Sequence, residues 1–338
     1  MPTSPVFLGS YPQTRLRRNR QKPWSRDLVA ENHLSPRDLI WPIIVCEGNQ
    51  RVETIDSMPG VERISVDLLP SRANQAYSLG IRAIAIFPKV LEELKSPEGV
   101  ECLNPDNLVC RAVREIKKHI PEIGVICDVA LDPYTSHGQD GIVQDNNVIN
   151  DRTVEVLCRQ ALNQANSGCD VLAPSDMMDG RVRKIRIALD KADFQNLQIM
   201  SYAAKFASSY SGPFREAIGS AANLANGDKR TYQVDPRNSQ EALRESAFDI
   251  DEGADMLIVK PGLPYLDVIK GVKETFSMPT YAYQVSGEYS MIMAASERGW
   301  ISYSDSLMET LICFKRAGAD GIITYGAVEA AKLLNDLL

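Results

Sequence analysis

The chain has 338 residues, of which 44% are hydrophobic and 24% charged, and its formal net charge is -7. This is the composition of a soluble protein with a large core, and the negative charge argues against nucleic acid as the main partner. No apolar run approaches the roughly 18 residues of a membrane-spanning helix, so we expect no membrane partner.

The seven cysteines are scattered along the chain, and no two of them form a CxxC pair. Because their number is odd and several lie in apolar context, we interpret them as reduced core residues of a cytoplasmic protein. The three histidines, His33, His119 and His137, show no metal-ligand spacing to one another.

The N-terminal stretch is rich in arginine, and residues 15–26 read RLRRNRQKPWSR. A transit peptide is also Arg-rich, but no apolar segment precedes this run, so we predict no secretory signal. Taken alone, the run is either a solvated basic arm or an arm that docks on an acidic neighbouring subunit.

Short apolar runs rich in β-branched residues follow, and helical patterns separate them. Near-continuous apolar runs indicate strands that are covered on both faces. The eight predicted strands are 39–45, 83–87, 124–131, 171–175, 198–205, 255–260, 280–286 and 321–326. Eight strands that alternate with helices predict a (β/α)8 TIM barrel, an α/β fold. The doubly wound alternative requires a Gly-rich phosphate turn after its first strand, and VCEGNQR does not supply one.

Three helical patterns are clear, at 151–168, 238–253 and 304–320. We expect Asp151 and Ser239 to cap the first two at their N-termini and Gly253 to end the second. Residues 206–237, between the fifth and sixth strands, form a long segment rich in Ser, Gly, Asn and Lys. On a barrel, such a segment is typical of an active-site lid or an extra helix.

Polar residues stand at or just beyond the carboxyl ends of the predicted strands, where barrel enzymes carry their chemistry. They are Asp132, Ser175, Asp176, Lys205, Lys260, Ser286 and Tyr325. We predict Ser175 to be a substrate contact.

The two lysines among these residues carry the strongest signal. Lys205 and Lys260 end adjacent predicted strands, which run about 4.8 Å apart in a parallel sheet. Like charge and partial burial both disfavour a protonated lysine, and a neutral amine attacks carbonyl carbon to form an imine. The alternative is a pair of unrelated lysines that point outward or bind carboxylates.

Two cations of the long segment, Arg215 and Lys229, suit a substrate carboxylate if they reach into the barrel mouth. The alternative is that they are solvated loop charges. Paired lysines with anion contacts predict chemistry on keto acids, without selecting one keto acid.

Eight stretches together closely resemble the porphobilinogen synthase (5-aminolevulinate dehydratase) family. They are SMPGVERIS (57–65), DVALDPYTSHGQDG (128–141), APSDMMDGRV (173–182), YAAKFASSYSGPFR (202–215), KRTYQVDP (229–236), ADMLIVKPGLPYLD (254–267), YQVSGEY (283–289) and RAGADGIITY (316–325). The resemblance runs from the Arg-rich stretch to the last helical pattern.

The resemblance implies an asymmetric condensation of two 5-aminolevulinate molecules into porphobilinogen, with loss of two waters, in tetrapyrrole biosynthesis. Lys260 would form the Schiff base with the molecule that becomes the propionate side. Lys205 would hold the acetate-side molecule, as a second imine or by hydrogen bonding and polarisation. No organic cofactor is implied.

The resemblance also implies which residues bind the two substrate carboxylates. Arg215 and Lys229 would clamp the acetate-side carboxylate, with Gln233 nearby. Ser286 and Tyr325 would bind the propionate-side carboxylate.

The family is a homo-octamer whose N-terminal arms embrace neighbouring subunits, so the resemblance favours the docking arm over the solvated one. We therefore expect residues 1–30 to be an arm for subunit contacts and residues 31–338 to be the catalytic barrel. Two other hypotheses are a class I Schiff-base aldolase on the same barrel, which needs one imine lysine, and a non-catalytic scaffold, which has no use for either lysine.

The metal chemistry departs from part of the family. Zinc-using members carry three cysteines where this chain has Ala130, Asp132 and Asp140, and carboxylates suit a hydrated magnesium ion rather than zinc. We predict no catalytic zinc, with the two aspartates serving as proton-transfer or amine-orienting groups, or as weak ligands. The resemblance further implies an allosteric, stimulating magnesium ion on Glu245, which we expect to face outward because apolar Leu243 lies about 200° away around the helix.

Overall fold

A computed structural model of the chain describes residues 9–220 and 228–336. It divides the chain into two compact units, Met1–His33 and Leu34–Leu338. In the described part of the first unit, a 3-10 turn covers Leu16–Arg20 and helix α1 covers Pro23–Leu28. Among the described residues of this unit, the exposed large apolar side chains are Tyr11, Leu16, Trp24, Leu28 and Val29.

The described part of the second unit contains twelve strands. In chain order they are β1 (Leu39–Cys46), β2 (Val52–Thr54), β3 (Glu62–Ser65), β4 (Ala83–Lys89), β5 (Gly124–Val129), β6 (Val143–Gln144), β7 (Asn147–Val148), β8 (Val171–Pro174), β9 (Gln198–Lys205), β10 (Met256–Lys260), β11 (Thr280–Tyr283) and β12 (Gly321–Ile323).

Ten further α-helices accompany these strands in the described residues. They are α2 (Leu69–Ser78), α3 (Leu108–His119), α4 (Asn150–Asn166), α5 (Arg181–Lys191), α6 (Gly212–Ala217), α7 (Ser239–Asp251), α8 (Leu266–Phe276), α9 (Ser286–Glu297), α10 (Tyr303–Ala317) and α11 (Ala327–Asp336).

Eight of the strands form a closed parallel barrel in the order β1, β4, β5, β8, β9, β10, β11, β12. The barrel closes where Leu39 and Ile40 of β1 pair with Ile322 and Ile323 of β12. The short β2 and β3 form an antiparallel ribbon beside the end of β1, and β6 pairs only with β7. The predicted (β/α)8 barrel is therefore confirmed.

Alternating side chains fill two separate cores, one inside the barrel and one between the strands and the helices. In β10, Met256 and Ile258 belong to the inner core, whereas Leu257 and Val259 pack in the outer core. Burial on both faces explains why each barrel strand is a near-continuous apolar run in the sequence. All eight predicted strands are present, although the third ends two residues earlier than expected and the seventh and eighth each end three residues earlier.

Two predicted helix caps are wrong. The residue before α4 is Ile149, which makes no side-chain cap, and Asp151 lies within the first turn. Ser239 is the first residue of α7 itself. The expected stop at Gly253 is confirmed, because this residue adopts the left-handed φ of 105° that favours glycine. Across the described ranges, no helix is both long and apolar enough to cross a membrane.

Candidate active site

The lysines that end β9 and β10 are partners in the parallel register of the two strands. The register shifts between Leu257 and Val259, and Ala203 and Ala204 consecutively pack in the outer core. In a regular strand, adjacent residues face opposite sides. The extra outward residue therefore turns Lys205 into the barrel mouth beside Lys260, as a β-bulge characteristically re-aims a side chain.

Lys260 is 7% exposed and is surrounded by aromatic rings. Its Nζ lies 4.7 Å from the ring centroid of Tyr283, 4.8 Å from that of Phe214 and 5.3 Å from that of Tyr202. Burial, together with the positive charge of Lys205, lowers the pKa of Lys260 to about 7. At neutral pH a large fraction of this lysine is therefore a free amine, the form that attacks a carbonyl carbon.

Lys205 is held by two acceptors. Its Nζ donates to the main-chain carbonyl of Ser175, which directly follows β8, and lies 3.3 Å from Oδ1 of Asp140. The ammonium group is therefore directed across the mouth of the barrel rather than into solvent.

Three buried charges lie beside the lysine pair. Nζ of Lys229 is 3.2 Å from Asp132 and 2.9 Å from Asp140, and Gln233 donates to Asp140 at 3.4 Å. Burial alone raises the pKa of Asp140, but Lys205 and Lys229 hold it well below its usual range. Burial and the charge of Asp140 raise the pKa of Asp132, and Lys229 offsets only part of this rise. The two aspartates therefore differ in proton affinity although one ammonium group binds both.

Asp128 is a site residue that the sequence analysis missed. It is the second-last residue of β5, and alternation with inward-facing Ile126 turns it into the barrel. Its Oδ1 is buried and has no hydrogen-bond partner in the described part of the chain. Burial and the charge of Asp132 raise the pKa of Asp128 to about 7, against the opposing effect of Lys205 and Lys260. The available signal was a charge inside an apolar strand, because an isolated buried charge is costly.

The long segment after β9 contains the extra helix α6, while its residues 221–227 lie outside the described residues. Arg215 on α6 lines the same cavity as Lys205 and Lys260. The main-chain N–H of Phe214 donates to Oγ of Ser286 at 2.9 Å. This bond ties the start of α9 to the helix that covers the lysines.

Arg63 of β3 holds the other end of α6. Its buried guanidinium donates to the carbonyls of Ala217 at 2.6 Å and Glu216 at 2.9 Å. Carbonyls at a helix C-terminus lack helical partners and carry partial negative charge, so an arginine there both satisfies and stabilises them. Arg63 is a positioning residue for α6 that the sequence alone did not identify.

Glu288 joins the segments that follow β10 and β11. Glu288 is 1% exposed. Its carboxylate accepts hydrogen bonds from the N–H groups of Leu263 at 2.6 Å, Val285 at 2.7 Å and Gly262 at 3.3 Å. The turn after Lys260 and the start of α9 are thereby fixed to one another. Glu288 lies within the stretch YQVSGEY (283–289), and no pattern in the sequence indicated this structural role.

The structure brings most predicted site residues to one cavity, lined among others by Asp132, Lys205, Arg215, Lys229, Gln233 and Lys260. Asp140 and Ser175 contact Lys205 directly. Ser286 is the first residue of α9 rather than the end of a strand, and it reaches the cavity through Phe214. Tyr325 follows β12, and its hydroxyl lies 3.2 Å from that of Tyr283, whose ring faces Lys260.

Glu245 stands apart from this cavity, on α7. It is half-buried, and is therefore less exposed than the expected outward-facing position implied. It lines a separate cavity of about 420 Å³ together with Asn150, Asp179 and Glu241. Burial raises the pKa of Glu245, and the neighbouring carboxylates, which include Asp179 and Glu241, raise it further against an opposing arginine.

The donors around Glu245 are carboxylate and amide oxygens, which fit a hard cation that keeps its waters better than they fit zinc. In the described ranges, no three His, Cys, Asp or Glu side chains converge as a metal-ligand set. The residues around Glu245 therefore fit a hydrated ion that one carboxylate holds directly.

Fold and site together define a (β/α)8-barrel enzyme with two lysines at the ends of neighbouring strands. The sequence model of the family described as delta-aminolevulinic acid dehydratase matches residues 13–333. The chain belongs to this family, which confirms the resemblance seen in the sequence, and it is a lyase that makes porphobilinogen.

Named relatives match over almost the whole chain. A delta-aminolevulinic acid dehydratase of Bradyrhizobium diazoefficiens is 59% identical over 95% of this chain and 90% of its own length. One from Bacillus subtilis is 46% identical over 95% of this chain and 98% of its own length. The crystal structure of the Toxoplasma gondii enzyme, in complex with the reaction product porphobilinogen, is 48% identical, with a TM-score of 0.94 over 96% of this chain and 93% of that one.

Proposed function

We propose that Lys260 and Lys205 carry out the condensation of two 5-aminolevulinate molecules into porphobilinogen through an imine on Lys260. The observation that carries this proposal is the in-register pair of lysines at the barrel mouth, one of which has its pKa lowered to about 7. The product bound to the Toxoplasma gondii relative supports the choice of substrate.

Lys260 acts on the first substrate molecule, which becomes the propionate side. Its neutral amine attacks the ketone carbon, the ketone oxygen leaves as water, and a protonated imine remains. That carbon is then more electrophilic than the ketone was.

Lys205 holds the second, acetate-side molecule as an imine or by polarising its ketone. Either interaction makes the carbon next to the ketone more acidic, and this carbon attacks the imine carbon on Lys260. The amine of the first molecule attacks the former ketone carbon of the second and displaces its oxygen, or displaces the amine of Lys205 where an imine was formed. One C–C bond and one C–N bond form, the bond between Lys260 and the substrate breaks, and three C–H bonds and one N–H bond of the substrates break. The four hydrogens and the two ketone oxygens leave as two waters.

The aspartates are suited to the proton transfers in this sequence. Asp128 has a pKa of about 7, so it both accepts and donates a proton near neutral pH. Asp132 is also raised in pKa, whereas the pKa of Asp140 is lowered and this residue stays ionised beside Lys205 and Lys229.

Arg215 and Lys229 are proposed as contacts of the acetate-side carboxylate, and Gln233 as their neighbour. The cavity has only about 30 Å³ of free volume, room for about one water molecule. Side chains such as Lys229, which is occupied by two aspartates, must therefore move when substrate enters. Ser286 and Tyr325 are proposed for the propionate-side carboxylate, and Ser175 as a further contact.

The proposed function is tested by incubating the enzyme with 5-aminolevulinate and assaying pyrrole with a colour reagent. We expect colour with the wild-type enzyme and none with Lys260→Ala. Pyrrole formation at the wild-type rate by Lys260→Ala would remove Lys260 from the chemistry. Aldol turnover without pyrrole would favour the aldolase hypothesis, which the family membership does not support.

We also propose a stimulating magnesium ion near Glu245, supported by the oxygen donors and the raised pKa of this residue. Glu245 would be its direct protein ligand, and the ion would act from outside the cavity of the lysines. No zinc is proposed, because Asp132 and Asp140 are bound to lysines and offer no thiolate.

A homo-octamer with docking arms is proposed from the family resemblance, and the exposed apolar side chains of the first unit support it. Deletion of residues 1–26 should give smaller particles by light scattering, and an intact octamer without the arm would contradict the proposal. A cytoplasmic location remains our proposal from the pattern of cysteines.

A further inference from the structure

Three aromatic rings from three different elements converge on the nitrogen of Lys260. Tyr202 belongs to β9, Phe214 to α6 and Tyr283 to β11, and all three ring centroids lie 4.7–5.3 Å from Nζ. We call Tyr202, Phe214 and Tyr283 the ring cage. A cation is attracted to a ring face within about 6 Å of its centroid, and all three rings meet this distance at one nitrogen.

A ring cage differs from a carboxylate partner in its effect on a lysine. Aromatic rings exclude water, and this desolvation favours the neutral amine. Their faces nevertheless carry negative electrostatic potential and attract a cation. A carboxylate at ion-pair distance instead keeps the lysine protonated and suppresses its nucleophilicity.

Two carboxylates near Lys260 are engaged by other cations, and a third, Asp128, forms no ion pair within the described residues. Asp132 binds Lys229, and Asp140 binds Lys229 and Lys205. No ion pair to Lys260 is found in the described residues. The positive charge that Lys260 acquires in the reaction therefore meets ring faces first.

We propose that the ring cage is a catalytic element that stabilises the cationic, protonated imine on Lys260 through its ring faces. This inference rests on the proposed imine chemistry. In this step the neutral amine of Lys260, the ketone and one proton from solvent give the protonated imine and one water. The nitrogen gains a positive charge, and the cage stabilises that charge without an ion pair in the resting enzyme.

Other charged groups also act on this nitrogen and must stay constant in a test. They are Lys205 on β9, Asp128 on β5, and Asp132 and Asp140 in the segment after β5. The hydroxyls of Tyr202, Tyr283 and Tyr325 are the neighbouring titratable groups, and burial raises the pKa of each further above its usual range. Phe214 is therefore the member to vary, because it has no hydroxyl and no charge.

The test replaces Phe214 by phenylalanines that carry one, two or three ring fluorines, which keep the shape of the ring and progressively weaken its negative face. The full-length enzyme is incubated with 5-aminolevulinate and cyanoborohydride, and the initial rate of adduct formation on Lys260 is measured against pH. Lys260 must lose its proton before it attacks, and the imine must keep its proton to be reduced, so the profile has an acid and an alkaline limb.

If ring faces stabilise both the protonated amine of Lys260 and the protonated imine, each added fluorine lowers both pKa values. The acid and alkaline limbs of the pH profile then both move to lower pH, by about one pH unit for three fluorines. The same series at Phe314, a fully buried ring of the outer core, is the control and should move neither limb.

Limbs that stay in place along the Phe214 series, with an adduct still forming on Lys260, would overturn the ring-cage inference and leave the proposed function intact. Equal shifts in the Phe314 series would also overturn it. If the wild-type enzyme forms no adduct on Lys260 at any pH, the proposed imine chemistry fails, and the inference fails with it.

Discussion

Replacement of Lys205 by methionine is expected to raise the pKa of Lys260. The positive charge of Lys205 is the second cause, after burial, of the low value of about 7. The two lysines are in register on neighbouring strands, which run about 5 Å apart. Two ammonium groups at about that separation repel by about 3 kcal/mol at an effective dielectric constant of about 20, which is roughly two pKa units. Because solvent at the barrel mouth screens part of this repulsion in the wild-type enzyme, we expect a rise of about one to two units.

At pH 7 the fraction of neutral Lys260 should therefore fall by about 5- to 50-fold. The assay is the initial rate of borohydride-trapped adduct on Lys260 with 5-aminolevulinate, followed from pH 5.5 to 9.5. The acid limb should move to higher pH in Lys205→Met and stay in place in Lys205→Arg, which keeps the charge. An unmoved limb in Lys205→Met would refute the electrostatic coupling of the two lysines.

Three further predictions concern residues around the lysine pair. Arg63→Ala should raise KM for 5-aminolevulinate by about tenfold, with a smaller effect on kcat, because charged hydrogen bonds worth about 1.5–3 kcal/mol position α6. Arg63→Lys should partly restore KM, and a wild-type KM in both variants would refute the positioning role of Arg63. Arg215→Ala and Lys229→Ala should each raise KM by about 10- to 100-fold, and unchanged substrate dependence would remove them from the site. After exhaustive chelation, magnesium but not zinc should restore full activity to the wild-type enzyme. Glu245→Ala should lose the stimulation by magnesium while keeping its magnesium-free rate. Restoration of activity by zinc instead would contradict our interpretation of Asp132 and Asp140.

The barrel and the two lysines were predictable because their signals are local. Each barrel strand is buried on both faces, and a strand such as Met256–Lys260 therefore appears as an apolar run that ends on a charge. The pairing of Lys205 with Lys260 followed from the order of the strands. The family resemblance then supplied residues such as Arg215 that periodicity alone does not distinguish from solvated charge.

The features that were not predictable depend on register and on contacts between distant segments. The bulge at Ala203 and Ala204 sets the direction of Lys205, yet two alanines carry no sequence signal for a bulge. The carbonyls that Arg63 binds are on α6, more than 150 residues away in sequence. Glu245 is half-buried because segments from elsewhere in the chain line its cavity, which the periodicity of α7 does not reveal.

The proposed function depends on an imine between Lys260 and 5-aminolevulinate at the mouth of the barrel. The most direct measurement is mass spectrometry of peptides from enzyme that was reduced with borohydride in the presence of the substrate. We expect a reduced 5-aminolevulinate adduct on the peptide that carries Lys260, formed in proportion to the loss of activity and absent without substrate. Inactivation with adducts only on exposed surface lysines, and with Lys260 unmodified, would contradict it.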